Sequence, residues 1–203
     1  MTERKKEISC AILAGGKASR MNGENKALLK VGEMNNLDKI LSFSEDYFKE
    51  IFIIANDSSK FKGYDIAIYS DIFRNVGPLG GIHSALLHSR TDNVFFLPCD
   101  MPFISESIVK KEIEFYFKTE CEIIIPRMGC LIEPMHSIFS IKVLSDLEKH
   151  IRGTDNYSIR SFFDKADVYY WDIEDNEDNK MAFFNINTHH DLSDAHNKVN
   201  SVR

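Results

Sequence analysis

The sequence has no long apolar run and no extended cluster of positive charge. Its longest basic run is Arg4-Lys5-Lys6, and its formal net charge is −6 at pH 7. Proteins that bind nucleic acid carry a basic patch or stripe, so we expect no nucleic-acid partner. No apolar stretch approaches the roughly 18 residues that a membrane-spanning helix needs, and no signal-type cleavage site follows the charged residues 1–7. These absences predict a soluble, cytoplasmic protein with no membrane contact.

Cysteine is also sparse, and its four copies lie at irregular spacings with no C-x-x-C pair. Cys10, Cys99 and Cys121 lie in or beside apolar runs, which is typical of small buried side chains. We therefore expect these thiols and that of Cys130 to be reduced and packed rather than joined in disulfides or bound to metal. The histidines form no H-x-x-x-H pair, so His136 and His189-His190 are expected at the surface or in turns rather than at a zinc site.

Short apolar runs alternate with helical patterns as far as Pro126. The runs are rich in β-branched and aromatic residues, which favours strands buried on both faces; they cover residues 8–13, 51–55, 66–69, 94–98 and 123–126. The helical patterns cover residues 37–48, 79–87 and 105–117, the last with Ser105 as a candidate N-cap. The alternation predicts an α/β fold, a single-domain three-layer sandwich around a mainly parallel, Rossmann-like central sheet.

The pattern loosens beyond Pro126. We predict an extended segment at 135–140, helices near 141–150 and 158–163, an aromatic strand at 168–171 and a last helix from Asp191. The acidic residues 172–180 have the composition of a solvated loop. The whole chain, 1–203, is assigned to one domain.

The most informative segment follows the first predicted strand and reads Leu13-Ala-Gly-Gly-Lys-Ala-Ser-Arg-Met-Asn-Gly-Glu-Asn-Lys26. A loop at the carboxyl end of a parallel strand faces the ligand crevice. Adjacent glycines let backbone N–H groups approach phosphate oxygens, and Arg20 and Lys26 are placed to neutralise a triphosphate. The simpler alternative is a tight turn at Gly15-Gly16 with solvated basic side chains. The segment matches neither G-x-x-x-x-G-K-[ST] nor G-x-G-x-x-G, which disfavours a Walker-type NTPase and a dinucleotide-binding protein.

A second candidate residue, Asp100, ends the apolar run Val94-Phe-Phe-Leu-Pro-Cys-Asp. A carboxylate at the end of a central strand faces the same crevice, and a hard oxygen ligand suits Mg²⁺ bound to a triphosphate. We therefore predict Asp100 as a metal ligand and Mg²⁺ as the cofactor. The alternative is that Asp100 only organises the turn before the next helix, a role for which Ser105 already supplies a cap.

These segments resemble the MobA family of molybdenum cofactor guanylyltransferases, which belong to the GT-A-like nucleotidyltransferases. The glycine loop is similar to the family's L-A-G-G-x-x-x-R-M-x-x-x-x-K signature, with Asn22 where many relatives carry glycine. Pro98-Cys-Asp-Met-Pro102 resembles its P-C-D-x-P motif. Residues 77–82, 133–139 and 183–192 resemble further family segments, so the likeness runs from about Ile8 to Leu192.

The resemblance implies that a phosphate of molybdenum-bearing molybdopterin attacks the α-phosphorus of GTP and that pyrophosphate leaves. GTP and molybdopterin are then the small-molecule partners, and other cofactor-biosynthesis proteins and molybdoenzyme chaperones are candidate protein partners. It implies a nucleotide-binding half at about 8–126 and an acceptor-binding half at about 127–200. Catalytic roles are carried to Arg20, Lys26 and Asp100. Nucleotide contacts are carried to Leu13, Ala14, Gly15, Gly16, Lys26, Asn56, Asp71 and Asp100, and acceptor contacts to Gly80, Gly81, Asn185 and Asn187.

Several alternatives stay open at this level. Asn56 and Asp71 are also ordinary turn residues, and Asn187 or Thr188 is equally suited to capping the last helix.

A sister enzyme that uses CTP, or one with a sugar-phosphate acceptor, would share the glycine loop, although CTP-specific relatives resemble T-A-A-G where this chain has Leu13-Ala-Gly-Gly. A non-catalytic nucleotide-binding protein is disfavoured by the joint presence of Lys26 and Asp100. If GTP is the substrate, the Leu13 carbonyl and the Asp71 carboxylate are candidate acceptors for the N–H groups of guanine.

Overall fold

A computed structural model describes residues 7–15 and 25–201 of the chain. Its strands are β1 Ile8–Leu13, β2 Lys30–Val31, β3 Met34–Asn35, β4 Glu50–Ile54, β5 Ala67–Tyr69, β6 Asn93–Pro98, β7 Ile123–Met128, β8 Leu131–Ile132, β9 Ser137–Ser140 and β10 Val168–Asp172. Its α-helices are α1 Asn36–Tyr47, α2 Pro78–His88, α3 Glu106–Thr119, α4 Leu144–Gly153, α5 Ile159–Phe163, α6 Glu177–Ala182 and α7 His189–Ser201.

One mixed sheet with strand order β10-β7-β9-β6-β1-β4-β5 organises the molecule. β1 pairs in parallel with β4 and β6, β4 with β5, and β7 with β10. β9 runs antiparallel to both of its neighbours, β6 and β7. Because β1, β4, β5 and β6 point the same way, their carboxyl ends meet at one edge of the sheet, where open α/β sheets bind ligands.

The sheet lies between two helical layers. Ile8, Cys10 and Ile12 of β1 pack into a core that also holds apolar residues of α1 and α3. Ala11 and Leu13 point to the opposite face and pack with residues of α2, α4 and α5. This alternation follows from the two-residue period of a strand, and it confirms the predicted three-layer α/β sandwich with a mainly parallel sheet.

The strand and helix predictions agree with the structure to within a few residues, and Ser105 caps α3 as expected, since its hydroxyl accepts from the Ile108 N–H. Two expectations are wrong. The acidic residues 172–180 are not all loop, because α6 begins at Glu177. The Asn176 side chain accepts from the Asn179 N–H, and acidic side chains in the first turn suit the positive end of the helix dipole. β5 is an edge strand and is not buried on both faces.

The four cysteines are unpaired: Cys10, Cys99 and Cys121 are buried, whereas Cys130 is exposed on the turn between β7 and β8. Cys130 therefore departs from the expectation that the cysteines are packed. Within residues 7–15 and 25–201, no helix combines the length and the apolar character that crossing a bilayer requires.

Candidate active site

A cleft with two compartments opens at the edge where the parallel strands end. The Asp71 compartment has a volume of about 600 Å³ and is lined by residues that follow β1, β4 and β5 and by the start of α2. The Asp100 compartment has a volume of about 370 Å³ and is lined by residues that follow β1 and β6, by Lys26 and by Asn185. The two compartments share Leu13, Ala14, Gly15, Lys60 and Met135. The end of β1 is thus common to both.

Backbone hydrogen bonds to both neighbouring strands fix the end of β1. The Ala14 N–H donates to the Ile54 carbonyl at 3.0 Å, and the Leu13 carbonyl accepts from the Cys99 N–H at 3.2 Å. A Cβ at Gly15 would lie 3.8 Å from the Ile54 carbonyl oxygen, which is ordinary van der Waals contact. The described part of the chain therefore leaves room for a methyl at Gly15. Gly16 and Arg20, the other loop residues with predicted roles, lie outside the described residues.

Lys26 brings three distant parts of the chain together. Its ammonium donates to Asp100 Oδ2 at 3.2 Å and to Asn187 Oδ1 at 2.7 Å, partners that are 74 and 161 positions away in sequence. Lys26 starts the short 3₁₀ turn Lys26–Leu28, which is capped by the Asn25 side chain. The Asp100 carbonyl accepts from the Ile186 N–H at 2.8 Å, which joins the end of β6 to the segment before α7. The cation of Lys26 and the carboxylate of Asp100, which line the Asp100 compartment, thus meet the amide oxygen of Asn187.

Thr188 and Asp191, rather than the Asn187 side chain, cap the last helix. Thr188 Oγ1 accepts from the Asp191 N–H at 3.2 Å, and the Asp191 carboxylate accepts from the N–H groups of Asn187 and Thr188 at 2.8 Å each. These backbone hydrogen bonds lower the pKa of Asp191. The Asn187 amide is left to contact Lys26, and the nearby Asn185 also lines the Asp100 compartment while donating to the Phe183 carbonyl at 3.1 Å.

Asn56 and Asp71 form a two-way hydrogen bond across the ends of β4 and β5. Asn56 Nδ2 donates to Asp71 Oδ2 at 2.8 Å, and the Asp71 N–H donates to Asn56 Oδ1 at 3.0 Å. Both side chains line the Asp71 compartment. These two hydrogen bonds hold the Asp71 carboxylate in one orientation. Such fixing distinguishes Asp71 from a turn residue whose side chain contacts only solvent.

The glycines Gly80 and Gly81, predicted to contact the acceptor, lie buried in the first turn of α2. A Cβ at Gly80 would stand 2.5 Å from the Phe73 carbonyl oxygen, so close packing accounts for glycine there. A Cβ at Gly81 would make only ordinary contacts, the nearest at 3.5 Å from Ile54. Gly81 lines the Asp71 compartment, so the structure places it beside Asp71 rather than beside Asn185 and Asn187.

Glu133 is a cleft residue to which the sequence assigned no role. It lines the Asp100 compartment, and burial, reinforced by the charge of Asp100, raises its pKa while His136 acts in the opposite direction. Its N–H donates to the Pro126 carbonyl at 3.1 Å, which ties it to β7. The signal was present, since Glu133 opens one of the segments that resemble the family, but that segment carries no motif that separates a site residue from a turn residue.

His136 closes a turn, since its N–H donates to the Glu133 carbonyl at 3.0 Å, but it is buried, so the expected turn position is found and the expected surface position is wrong. Only 1% of the residue is exposed; its ring packs edge-on against Phe95 and Phe183. Its Nδ1 lies 3.0 Å from Glu112 Oε2, although the contact departs from hydrogen-bond geometry. Burial raises the pKa of Glu112 to about 7, and the nearby His136 opposes that shift. Aromatic packing and a buried acidic partner thus hold this histidine inside, directly below the turn that carries Glu133.

The donor set at Asp100 fits a metal that arrives with a nucleotide. The Asp100 side chain is 23% exposed and faces the cleft. Among the described residues, no three or more His, Cys, Asp or Glu side chains converge as a metal cage. Mg²⁺ commonly binds through one or two carboxylates together with waters and substrate phosphates, so the single accessible carboxylate of Asp100 is compatible with a metal of that kind.

Comparisons with known proteins agree on one family. Residues 10–168 match the family described as the MobA-like NTP transferase domain. A Clostridium perfringens protein named probable molybdenum cofactor guanylyltransferase is 39% identical over 155 residues, which covers 76% of this chain and 77% of the relative. The Vibrio cholerae molybdenum cofactor guanylyltransferase is 31% identical, with 92% of this chain and 90% of the relative covered.

The same fold occurs in a crystal structure of molybdopterin-guanine dinucleotide biosynthesis protein A from Archaeoglobus fulgidus. The TM-score is 0.80 at 22% identity, with 95% of this chain and 99% of the other covered. The matched residues 10–168 make up most of the 203-residue chain and include β1 to β9 apart from the first two residues of β1. The chain therefore belongs to the MobA-like NTP transferase family.

Proposed function

We propose that this protein transfers GMP from GTP to the phosphate of molybdenum-bearing molybdopterin, forming the guanine dinucleotide cofactor and pyrophosphate. The observation that carries the proposal is the meeting of Lys26, Asp100 and Asn187 at the end of the glycine loop, next to a second compartment that holds Asp71. The family membership and the names of the curated relatives support it.

The transfer exchanges one phosphorus–oxygen bond for another. An oxygen of the acceptor phosphate bonds to the α-phosphorus, and the bond from the α-phosphorus to the oxygen bridging the β-phosphorus breaks. Pyrophosphate leaves with that electron pair. A phosphate monoester is already an anion near neutral pH, so the protein needs to position and neutralise charge rather than supply a strong base.

The Asp71 compartment is assigned to the nucleoside. Guanine presents two N–H donors on its Watson–Crick edge, and the Asp71 carboxylate, held by Asn56, is an acceptor suited to them. The Leu13 carbonyl already accepts from the Cys99 N–H in the sheet, so it is the weaker of the two candidates. Leaving guanine donors unpaired in a desolvated pocket is costly, which makes Asp71 the main determinant of base choice.

The Asp100 compartment is assigned to the phosphates and the acceptor. The Lys26 ammonium has three donors, and with two directed at Asp100 and Asn187 a phosphate oxygen is a natural third acceptor. Asp100 would hold Mg²⁺, which when bound neutralises phosphate charge and polarises the phosphoryl group. Lys26 and the hydrogen bond from the Ile186 N–H orient Asp100 for that role. Asn185, which lines this compartment, and Asn187, which contacts Lys26, would donate their remaining amide N–H groups to the acceptor.

The test is to identify the product. Purified protein is incubated with Mg²⁺, molybdenum-bearing molybdopterin and one nucleoside triphosphate at a time, and pyrophosphate release is measured together with the product mass. We expect a GMP adduct with GTP and little product with ATP or CTP. A CMP adduct of equal yield would reassign the chain to the cytidylyltransferase alternative, and the absence of any adduct or pyrophosphate would overturn the proposal.

A further inference from the structure

Lys60 is a cation at the junction of the two compartments. It belongs to the 3₁₀ turn Ser58–Phe61 that follows β4, and it lines both the Asp71 and the Asp100 compartments. The turn is fixed at both ends: the Asp57 side chain accepts from the Ser59 N–H at 3.2 Å, and Phe61 is buried in the core with 2% exposure. The backbone at Lys60 is therefore fixed, and its side chain extends from it to line the cleft.

Lys60 is weakly paired for a cleft cation. Among the described residues that line the cleft, the basic side chains are those of Lys26 and Lys60, and Lys26 is already bound to Asp100 at 3.2 Å. The Lys60 ammonium lies 4.0 Å from Asp57 Oδ2, with side-chain exposures of 42% and 54%. Exposed pairs of this kind are worth little, and Asp57 Oδ1 is engaged by Ser59. Lys60 can turn towards an incoming anion at small cost.

The position of Lys60 indicates which anion. With the nucleoside in the Asp71 compartment and phosphate transfer at Asp100, the phosphate chain must cross the surface that both compartments share. Among residues 7–15 and 25–201, that surface consists of Leu13, Ala14, Gly15, Met135 and Lys60, and Lys60 is the charged residue of this set. A lysine ammonium on a flexible stem suits a phosphate whose charge moves during reaction.

We propose that Lys60 binds the phosphate of the nucleotide nearest the nucleoside, as a second cation beside Lys26. The proposal rests on the proposed function. It adds to that function a residue outside the glycine loop and the aspartate motif. This residue binds the phosphate that lies between the base-recognition site and the site of transfer.

The test compares binding of guanosine, GMP and GTP by calorimetry in the wild-type protein, Lys60→Gln and Lys62→Gln. The binding of CTP and the KM of the acceptor in pyrophosphate release are measured on the same proteins. Lys62 is a matched control, because it is an exposed lysine directly after the same turn. Loss of one charge-assisted contact should weaken GMP and GTP about five- to twenty-fold in Lys60→Gln and leave guanosine unchanged. Lys62→Gln should stay within about two-fold of wild type for all three ligands, since an exposed charge acts weakly at a distance.

The outcomes separate this proposal from the proposed function. If wild-type protein binds GTP tightly and both variants do so equally well, the role of Lys60 is wrong and the guanylyltransferase function stands. If only the KM of the acceptor rises in Lys60→Gln, the residue serves the acceptor phosphate and the proposal is overturned. If CTP binds as tightly as GTP and Lys60→Gln weakens both, Lys60 stands and the guanine assignment falls. A wild-type protein that binds no nucleotide would overturn both.

Discussion

Two side-chain partners define the position of Lys26 in the cleft. It lies between the Asp100 carboxylate and the Asn187 amide with 22% of its side chain exposed, so its charge is already directed into the site. A preorganised cation needs little rearrangement when negative charge develops on the phosphates. Lys26 should therefore act mainly on the transition state rather than on ground-state binding.

Replacing Lys26 by alanine should lower kcat/KM for GTP by an amount that corresponds to about 2–4 kcal/mol of lost transition-state stabilisation. This is the usual effect of removing one electrostatic donor. Steady-state kinetics of pyrophosphate release measure the change. Lys30→Ala is the control, since Lys30 is an exposed lysine four residues further along the chain. If the two variants had the same near-wild-type kinetics, Lys26 would be an ordinary surface residue.

The buried Glu112 gives a prediction about pH. Burial raises its pKa in the folded protein to about 7 from an ordinary value of 4.5. The folded protein therefore binds this proton more tightly than the unfolded chain, so the contribution of Glu112 to stability is fully present below about pH 4.5 and is lost as pH rises through about 7. Glu112→Gln keeps the shape and removes the titration.

The unfolding free energy of wild type relative to Glu112→Gln should fall by up to about 3 kcal/mol between pH 5 and pH 8. Urea denaturation of both proteins at several pH values measures it. Parallel pH profiles would show that Glu112 titrates normally in the fold.

Residue roles were predictable where a motif fixes both residue type and position. Lys26 and Asp100 were found in this way, and the structure places them 3.2 Å apart. Glu112 was not, because it follows Lys110 and Lys111 in a charged helical segment and looks like a solvated position. Its burial depends on the packing of α3 against β9, which local sequence does not encode. Lys60 was missed because only the meeting of two compartments gives it a role.

At the scale of elements, the first turn of α2 holds two adjacent glycines with different requirements. A methyl at Gly80 would collide with the Phe73 backbone, whereas one at Gly81 would make ordinary contacts near Leu13 and Asp71. Gly80→Ala should therefore destabilise the protein by about 1–3 kcal/mol. Gly81→Ala should preserve stability, or raise it by up to about 1 kcal/mol through helix propensity, while weakening nucleotide binding.

Chemical denaturation and GTP titration of the two variants test this pair, with each variant serving as the control for the other. Equal stability of Gly80→Ala and Gly81→Ala would mean that the backbone near Phe73 moves aside at no cost.

Helices and strands were predictable where the spacing of apolar residues and the length of the segment indicate the same type of element. The strands that end at the cleft were located to within a residue or two because they are apolar runs bounded by polar turn residues. The short hairpin of β2 and β3 and helix α6 were missed for different reasons. Two-residue strands carry no period, and α6 depends on an Asn176 cap within a segment whose acidic composition indicates a loop. The antiparallel direction of β9 is a property of the chain path and has no local signal.

At the scale of the whole molecule, the packing of the cores should be visible in thiol chemistry. The thiolate is the reactive form of cysteine, and burial raises the pKa of Cys99 to about 12 and also raises the pKa values of Cys10 and Cys121. Native protein should react rapidly at one thiol, that of the exposed Cys130, and denatured protein at all four.

Titration with a chromogenic disulfide reagent, with and without denaturant, gives the number of reactive thiols in the denatured and in the native protein. Cys130→Ser is the control and should remove the rapid reaction. Any rapidly reacting thiol that remains in that variant would show that one of the helical layers opens in the native state.

The insertion of β9 between β6 and β7 has a consequence for synthesis of the protein on the ribosome. A nascent chain that has reached the end of α3 contains β1, β4, β5 and β6, but β6 is then an edge strand with unpaired N–H and C=O groups and the bulky Phe95 and Phe96. β7 cannot cover that edge, because only β9, residues Ser137–Ser140, pairs with both β6 and β7. The edge of β6 is therefore covered only after β9 has emerged from the ribosome. We expect nascent chains from which β6 has emerged but β9 has not to be the form most exposed to aggregation and to chaperone capture.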